Sequence, residues 1–198
     1  MHRFCRLGRV FLGPFVFFLL ASGCWAAPAQ VLMIRHAEKP DSGDHLSPQG
    51  YQRAQAYVHY FESAPAVTRY GTPVAIYAMG QASANTSLRA IETVTPLANA
   101  LGLTLHEAYT KKEVEGLVNE IMSTPAYDGK MVLICWEHKV LSEIAGQFGV
   151  SPVPDSYPGS DFNWVWEIDF AGGQVSNFKE FRADILPSDH PGAALTNR

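Results

Sequence analysis

The chain has 198 residues, 47% of them apolar and 17% charged, which is material for one globular core. Its 15 Lys and Arg face 19 Asp and Glu, a net charge of −4, and it has three cysteines. Those figures exclude a multidomain machine, a basic nucleic-acid binder and a scaffold built on disulfides.

The charge is unevenly spread. Residues 1–26 hold Arg3, Arg6 and Arg9 and no acidic residue, and the remainder carries 12 positive against 19 negative groups, or −7. Residues 10–21 are apolar over the length of a signal-peptide core and are too short to cross a bilayer comfortably. Small residues follow at Ser22, Gly23, Ala26 and Ala27. The expectation is a signal peptide at 1–26, cleaved near Ala26, and a single domain at 27–198. That domain is exported to the periplasm or secreted, with no stable membrane insertion after cleavage. Leu20-Ala21-Ser22-Gly23-Cys24 also has the outline of a lipoprotein box with a lipid anchor at Cys24. Against that reading, Ala21 stands where such a box favours leucine. Loss of the leader removes Cys5 and Cys24. Cys135 is then left within an apolar run, to be read as a core residue or, beside His138, as a reactive thiol.

From residue 29 short apolar runs alternate with longer amphipathic ones, the pattern of an α/β domain with a largely parallel sheet. Residues 31–34 predict a buried first strand. Ser47 and Pro48 then open a helix to about Phe61, a capping side chain followed by proline at the first helical position. Residues 74–79 predict a second strand, and 86–101 a helix closed by Gly102. A short strand at 103–105 and a helix at 111–122 follow. Residues 131–135 form the most apolar run and so predict a central strand, with a helix at 139–148 after it. Residues 151–160, with three prolines, predict a loop crossing a sheet end. Residues 164–170 and 174–181, around Gly172-Gly173, predict a hairpin at one sheet edge. Residues after Pro187 predict a mobile tail.

In an open α/β sheet, ligands bind beyond the carboxyl ends of the strands. The first strand ends in Arg35-His36-Ala37-Glu38-Lys39, the second leads through a polar loop to Arg89, and the central one ends in Trp136-Glu137-His138. Two arginines and two histidines without a cluster of metal ligands suit a phosphoryl pocket. Guanidinium groups grip phosphate oxygens in pairs and keep their charge. A histidine with one ring nitrogen held and the other free is a nucleophile at phosphorus. His36, leaving a strand behind an arginine, fits that role, and His138 fits a donor to a non-bridging oxygen. Taken singly, each histidine is equally an ordinary polar loop residue.

Arg35-His36-Ala37-Glu38-Lys39, Leu46-Ser47-Pro48-Gln49-Gly50, Ser87-Leu88-Arg89-Ala90-Ile91-Glu92-Thr93 and the hydrophobic strand running into His138 occur in that order. Together they resemble the small branch of the histidine phosphatase superfamily, also called phosphoglycerate-mutase-like. The resemblance implies a three-layer α/β sandwich with a mostly parallel central sheet flanked by helices. It also implies a phosphohistidine intermediate on His36, with Arg35, Arg89 and His138 around the phosphate and no metal or other cofactor. The expected partner is a small phosphorylated substrate, not a nucleic acid. Two positions depart from the family pattern: Ala37 stands for the usual glycine, and Lys139 follows His138 where glycine or aspartate is common.

The branch with an aspartate donor after the second histidine is therefore a poor match, and the resemblance moves the general acid to a glutamate past the second arginine's helix. Glu107 fits first and Glu113 second, although either is equally a solvated carboxylate at a helix start. Lys39 is a further expected substrate contact. Glu38 and Glu137 read as orienting or rim charges, and Ser47 as a helix cap. Trp136, Trp164 and Trp166 read as core, or else as an apolar wall for a leaving group. Two other classes compete with an exported phosphatase: a phosphate-binding module without a working proton donor, and a structural envelope protein. The last leaves the ordered arginines and histidines unexplained.

Overall fold

The computed structural model describes residues 27–83 and 87–190, so the leader with Cys5 and Cys24, Thr86 at the start of the helix expected from 86, and 191–198 lie outside the described residues. Five strands form one sheet: β1 (Gln30–Arg35), β2 (Ala75–Ala78), β3 (Met131–Trp136), β4 (Trp164–Ala171) and β5 (Gln174–Arg182). Their order is β2-β3-β1-β4-β5. The pairs β2 with β3 and β3 with β1 are parallel, and the hairpin adds two antiparallel pairs, β1 with β4 and β4 with β5. The sheet is mixed within the expected α/β layering: four of its five strands run in one direction and β4 alone opposes them, because the C-terminal hairpin lies against β1. It occupies one edge, as expected.

Every residue of β1 and β3 is buried, which requires cover on both faces. Four helices supply it: α1 (Pro48–Ser63), α2 (Arg89–Leu101), α3 (Val114–Ser123) and α4 (His138–Gln147). They pack as two pairs, α1 on α2 and α3 on α4. Ser47 caps α1 by accepting from Gly50 N at 3.1 Å, and Pro48 opens the first turn. Gly102, in the left-handed conformation at φ 65°, closes α2. The helix expected from 111 begins only at Val114. Glu113 turns back to accept from the backbone N and the hydroxyl of Thr110, both at 2.9 Å, and this local turn leaves Lys111 and Lys112 outside the helix. The strand expected at 103–105 reduces to one isolated parallel bridge between Tyr77 and His106. Cys135, Trp136 and Trp166 are fully buried core residues. Burial pushes the Cys135 thiol far up, which rules it out as a ready thiolate.

One polar cluster sits inside this apolar frame. Arg53, on α1 and 2% exposed, donates to Glu38 through Nε at 3.0 Å and Nη2 at 2.6 Å. It donates to Asp189 through Nη1 at 2.9 Å and Nη2 at 2.6 Å. Asp189 also accepts from the backbone N of Ile185 and Leu186, at 3.0 and 2.9 Å. The expected mobile tail therefore begins with an ordered 3₁₀ turn, Pro187–Asp189, tied to the loop that follows β1. Replacing Arg53 with methionine leaves two carboxylates buried without their cation, and should cost about 3–5 kcal/mol. Urea unfolding of wild type and Arg53→Met measures this, and a loss below about 1 kcal/mol would contradict the assignment.

Candidate active site

Strand register builds the site. In the parallel pair of β1 with β3, Arg35 is opposite Trp136, and His36 N donates to Trp136 O at 3.0 Å. The chain therefore leaves both strands at one level, with His36 beside Glu137 and His138. β2 ends there too, since Met79 N donates to Cys135 O at 3.0 Å. Gly80 N donates to Tyr109 O at 2.8 Å, bringing the segment before α3 to the same rim. A Cβ at Gly80 would stand 2.0 Å from Glu107 O, so this close approach requires glycine. The result is a cleft of about 400 Å³ lined by Arg35, His36, Lys39, Arg89, Lys111, Glu137, His138 and Lys139, with Ser87, Thr110 and the backbone of Gly80 between them.

His36 is 6% exposed, and its Nδ1 lies 2.8 Å from Ala37 O. A carbonyl can only accept, so Nδ1 carries the proton and Nε2 keeps its lone pair. Burial lowers the His36 pKa to about 4, and the positive charges of Arg35 and Arg89 act in the same direction. The imidazole is therefore neutral at physiological pH. Its loop is held from behind by the last residue of the Ser87–Thr93 motif. Buried Thr93 accepts from Ala37 N at 2.8 Å while donating to Arg89 O at 2.6 Å, linking the loop after β1 to the start of α2.

Arg35 is 2% exposed. Its Nη1 donates to Gly159 O at 2.7 Å and Asp161 O at 3.3 Å, and its guanidinium lies 3.9 Å over the Phe162 ring. The proline-rich loop thus crosses the sheet end as expected and serves as the clamp on Arg35. Arg89 is the first residue of α2, and its Nε donates to His45 O at 3.1 Å, with Gly43 O accepting from Nη2. His138 is the first residue of α4, and its Nδ1 has no partner among the described residues. Burial lowers its pKa, with Arg35 next in effect.

Arg35, His36, Lys39, Arg89 and His138 thus share one cleft, as the sequence predicts. Glu107 and Glu113 do not line it. Glu107 is exposed and meets the cleft wall through its backbone at Gly80, and Glu113 is turned onto Thr110. The one carboxylate lining the cleft among the described residues is Glu137, 3.9 Å from Lys111 Nζ. Trp136, Trp164 and Trp166 do not line the cleft. Gly159, Phe162 and Thr93 were not legible as site residues, because their contacts join segments far apart in sequence.

The two kinds of histidine environment give a direct check. In an NMR titration His36 should stay neutral down to pH about 4. Exposed His45, hydrogen-bonded to Glu92 at 2.6 Å, should hold its proton above the ordinary histidine value. A His36 midpoint at or above 6.5 would contradict the buried neutral ring.

The sequence matches no family model and no curated protein. Solved structures do resemble it. A protein histidine phosphatase, SixA, complexed with tungstate matches with a TM-score of 0.52 at 12% identity, over 78% of this chain and 97% of that one. A mycobacterial glucosyl-3-phosphoglycerate phosphatase matches with a TM-score of 0.51 at 11% identity, over 78% and 97%. Phosphoglycerate mutase from Bacillus anthracis matches with a TM-score of 0.54 at 10% identity, over 77% and 92%. The mixed five-stranded sheet covered by paired helices is the phosphoglycerate-mutase-like fold, which this chain shares with the histidine phosphatases.

Proposed function

We propose that this chain is a phosphatase of the histidine phosphatase superfamily that hydrolyses phosphomonoesters through a phosphohistidine on His36. The observation that carries the reading is the His36 ring, with Nδ1 bound to Ala37 O and a neutral Nε2 in a cationic cleft. In the first step Nε2 attacks phosphorus, the phosphorus–oxygen ester bond breaks, and the leaving oxygen takes a proton. In the second, water attacks the phosphohistidine, inorganic phosphate departs and His36 is restored. Arg35 and Arg89 neutralise the equatorial oxygens, His138 donates a hydrogen bond to one of them, and Lys39 contacts the substrate. Arg35 Nε and His138 Nδ1 are buried nitrogens without a partner among the described residues, and an oxyanion would satisfy them. Glu137 is the carboxylate in reach of the cleft for the leaving oxygen, whereas Glu107 would have to turn inward. Export belongs to the same proposal and is supported by the charged, apolar and small-residue order of residues 1–26.

One observation favours a second reading. Neither Glu107 nor Glu113 lines the cleft, and Glu137 faces Lys111, the arrangement of a phosphate-binding module with weak protonation of a leaving group. Phosphate release from 4-nitrophenyl phosphate separates the two. The phosphatase reading expects turnover that falls by about three orders of magnitude or more in His36→Ala, with an acid limb of kcat/KM well below pH 6.5. Calorimetric phosphate binding with no turnover would establish the binding module instead. Equal release by wild type and His36→Ala would remove His36 as nucleophile.

A further inference from the structure

The cleft holds more positive charge than one phosphate requires. Among the described residues, five Lys and Arg line it against the single carboxylate of Glu137. Two of them, Arg35 and Arg89, already match the two charges of a phosphomonoester at His36. Lys39, Lys111 and Lys139 remain. The charges differ in depth: Arg35 is buried and Arg89 half-buried, whereas Lys39, Lys111 and Lys139 are exposed.

The outer cations are also placed against local preference. Lys139 is in the first turn of α4, where the helix dipole disfavours a cation, and no acidic residue accompanies it in that turn. Lys111 is kept at the rim by the Thr110–Glu113 turn that stops α3 from starting earlier. Outside the cleft, Arg53, Arg69, Lys179 and Arg182 are engaged by carboxylates at 3.2 Å or less, whereas in the cleft Lys111 has only Glu137 at 3.9 Å among the described residues. In an acidic chain, a group of cations left facing one concavity concentrates anionic ligands there.

We propose that Lys111 and Lys139, with Lys39, form a second anion subsite, so that the substrate is a phosphomonoester bearing a further phosphate or other strongly anionic group. The inference rests on the reading of the inner cleft as the phosphate site. It assigns Lys111 and Lys139 to selection of the substrate and not to the chemical step, so their loss raises KM and leaves kcat in place.

The test compares propane-1,3-diol monophosphate with its bisphosphate, a pair differing by one anionic group. Binding to the full chain is read by calorimetry at low ionic strength, using His36→Ala so that nothing is turned over. The bisphosphate should bind about tenfold more tightly or better. Lys111→Gln/Lys139→Gln should erase the difference while leaving monophosphate affinity within about twofold, and salt should erode it. Lys130→Gln, the same loss of charge outside the cleft, should preserve the difference. KM values on the wild-type chain should rank the two ligands in the same order. Equal affinity for both overturns the subsite and leaves the inner phosphate site standing. Binding of neither overturns both readings, and a difference that survives the double substitution overturns the assignment to these lysines.

Discussion

The site depends on one constraint, the flush parallel pairing of β1 with β3. With Arg35 opposite Trp136 and His36 N bonded to Trp136 O, the two histidine-bearing segments leave the sheet at one level. A slip of one residue would turn Arg35 and His36 to the opposite faces and bury polar groups among core side chains. The register is secured by the apolar residues themselves, since all of β1 and β3 is packed on both sides. The most hydrophobic part of the chain therefore fixes the position of its most polar functional groups.

Around that constraint the charges divide into two systems with different roles. Behind the loop after β1, Arg53 ties Glu38 to Asp189 in a closed cluster that satisfies its own charges and joins the C-terminal turn to the site. In front, Arg35, Arg89 and three lysines line an open cleft with one carboxylate. Burial keeps His36 neutral between the two, and its Nδ1 contact with Ala37 O leaves Nε2 to act. A chain that is acidic outside its first 26 residues can thus present a positive face to an anion.

Much of this was legible in the sequence where signals are local. Sequence patterning located all five strands of the sheet within a residue at each end, and Ser47-Pro48 and Gly102 marked helix ends that the structure reproduces. The order of Arg35, His36, Arg89 and His138 located the cleft. Contacts between distant segments decided the rest. The hairpin's place beside β1 makes the sheet mixed, and sequence periodicity does not encode which edge a hairpin joins. Thr93 on Ala37, Phe162 on Arg35, and Arg53 on Asp189 pair residues at least 56 positions apart. Glu107 was placed by its distance from a short strand, but that strand is a single bridge, and the segment faces the cleft with its backbone.

The central claim is that Nε2 of His36 becomes the phosphoryl carrier. The direct measurement is to mix wild-type protein with a phosphoester labelled in its phosphate, quench in alkali within the first turnovers, and map the label by peptide mass. The account predicts an acid-labile, alkali-stable phosphate on His36 that appears before free phosphate and is absent from His36→Ala. Phosphate released with no label on His36, or label on another residue, would contradict it.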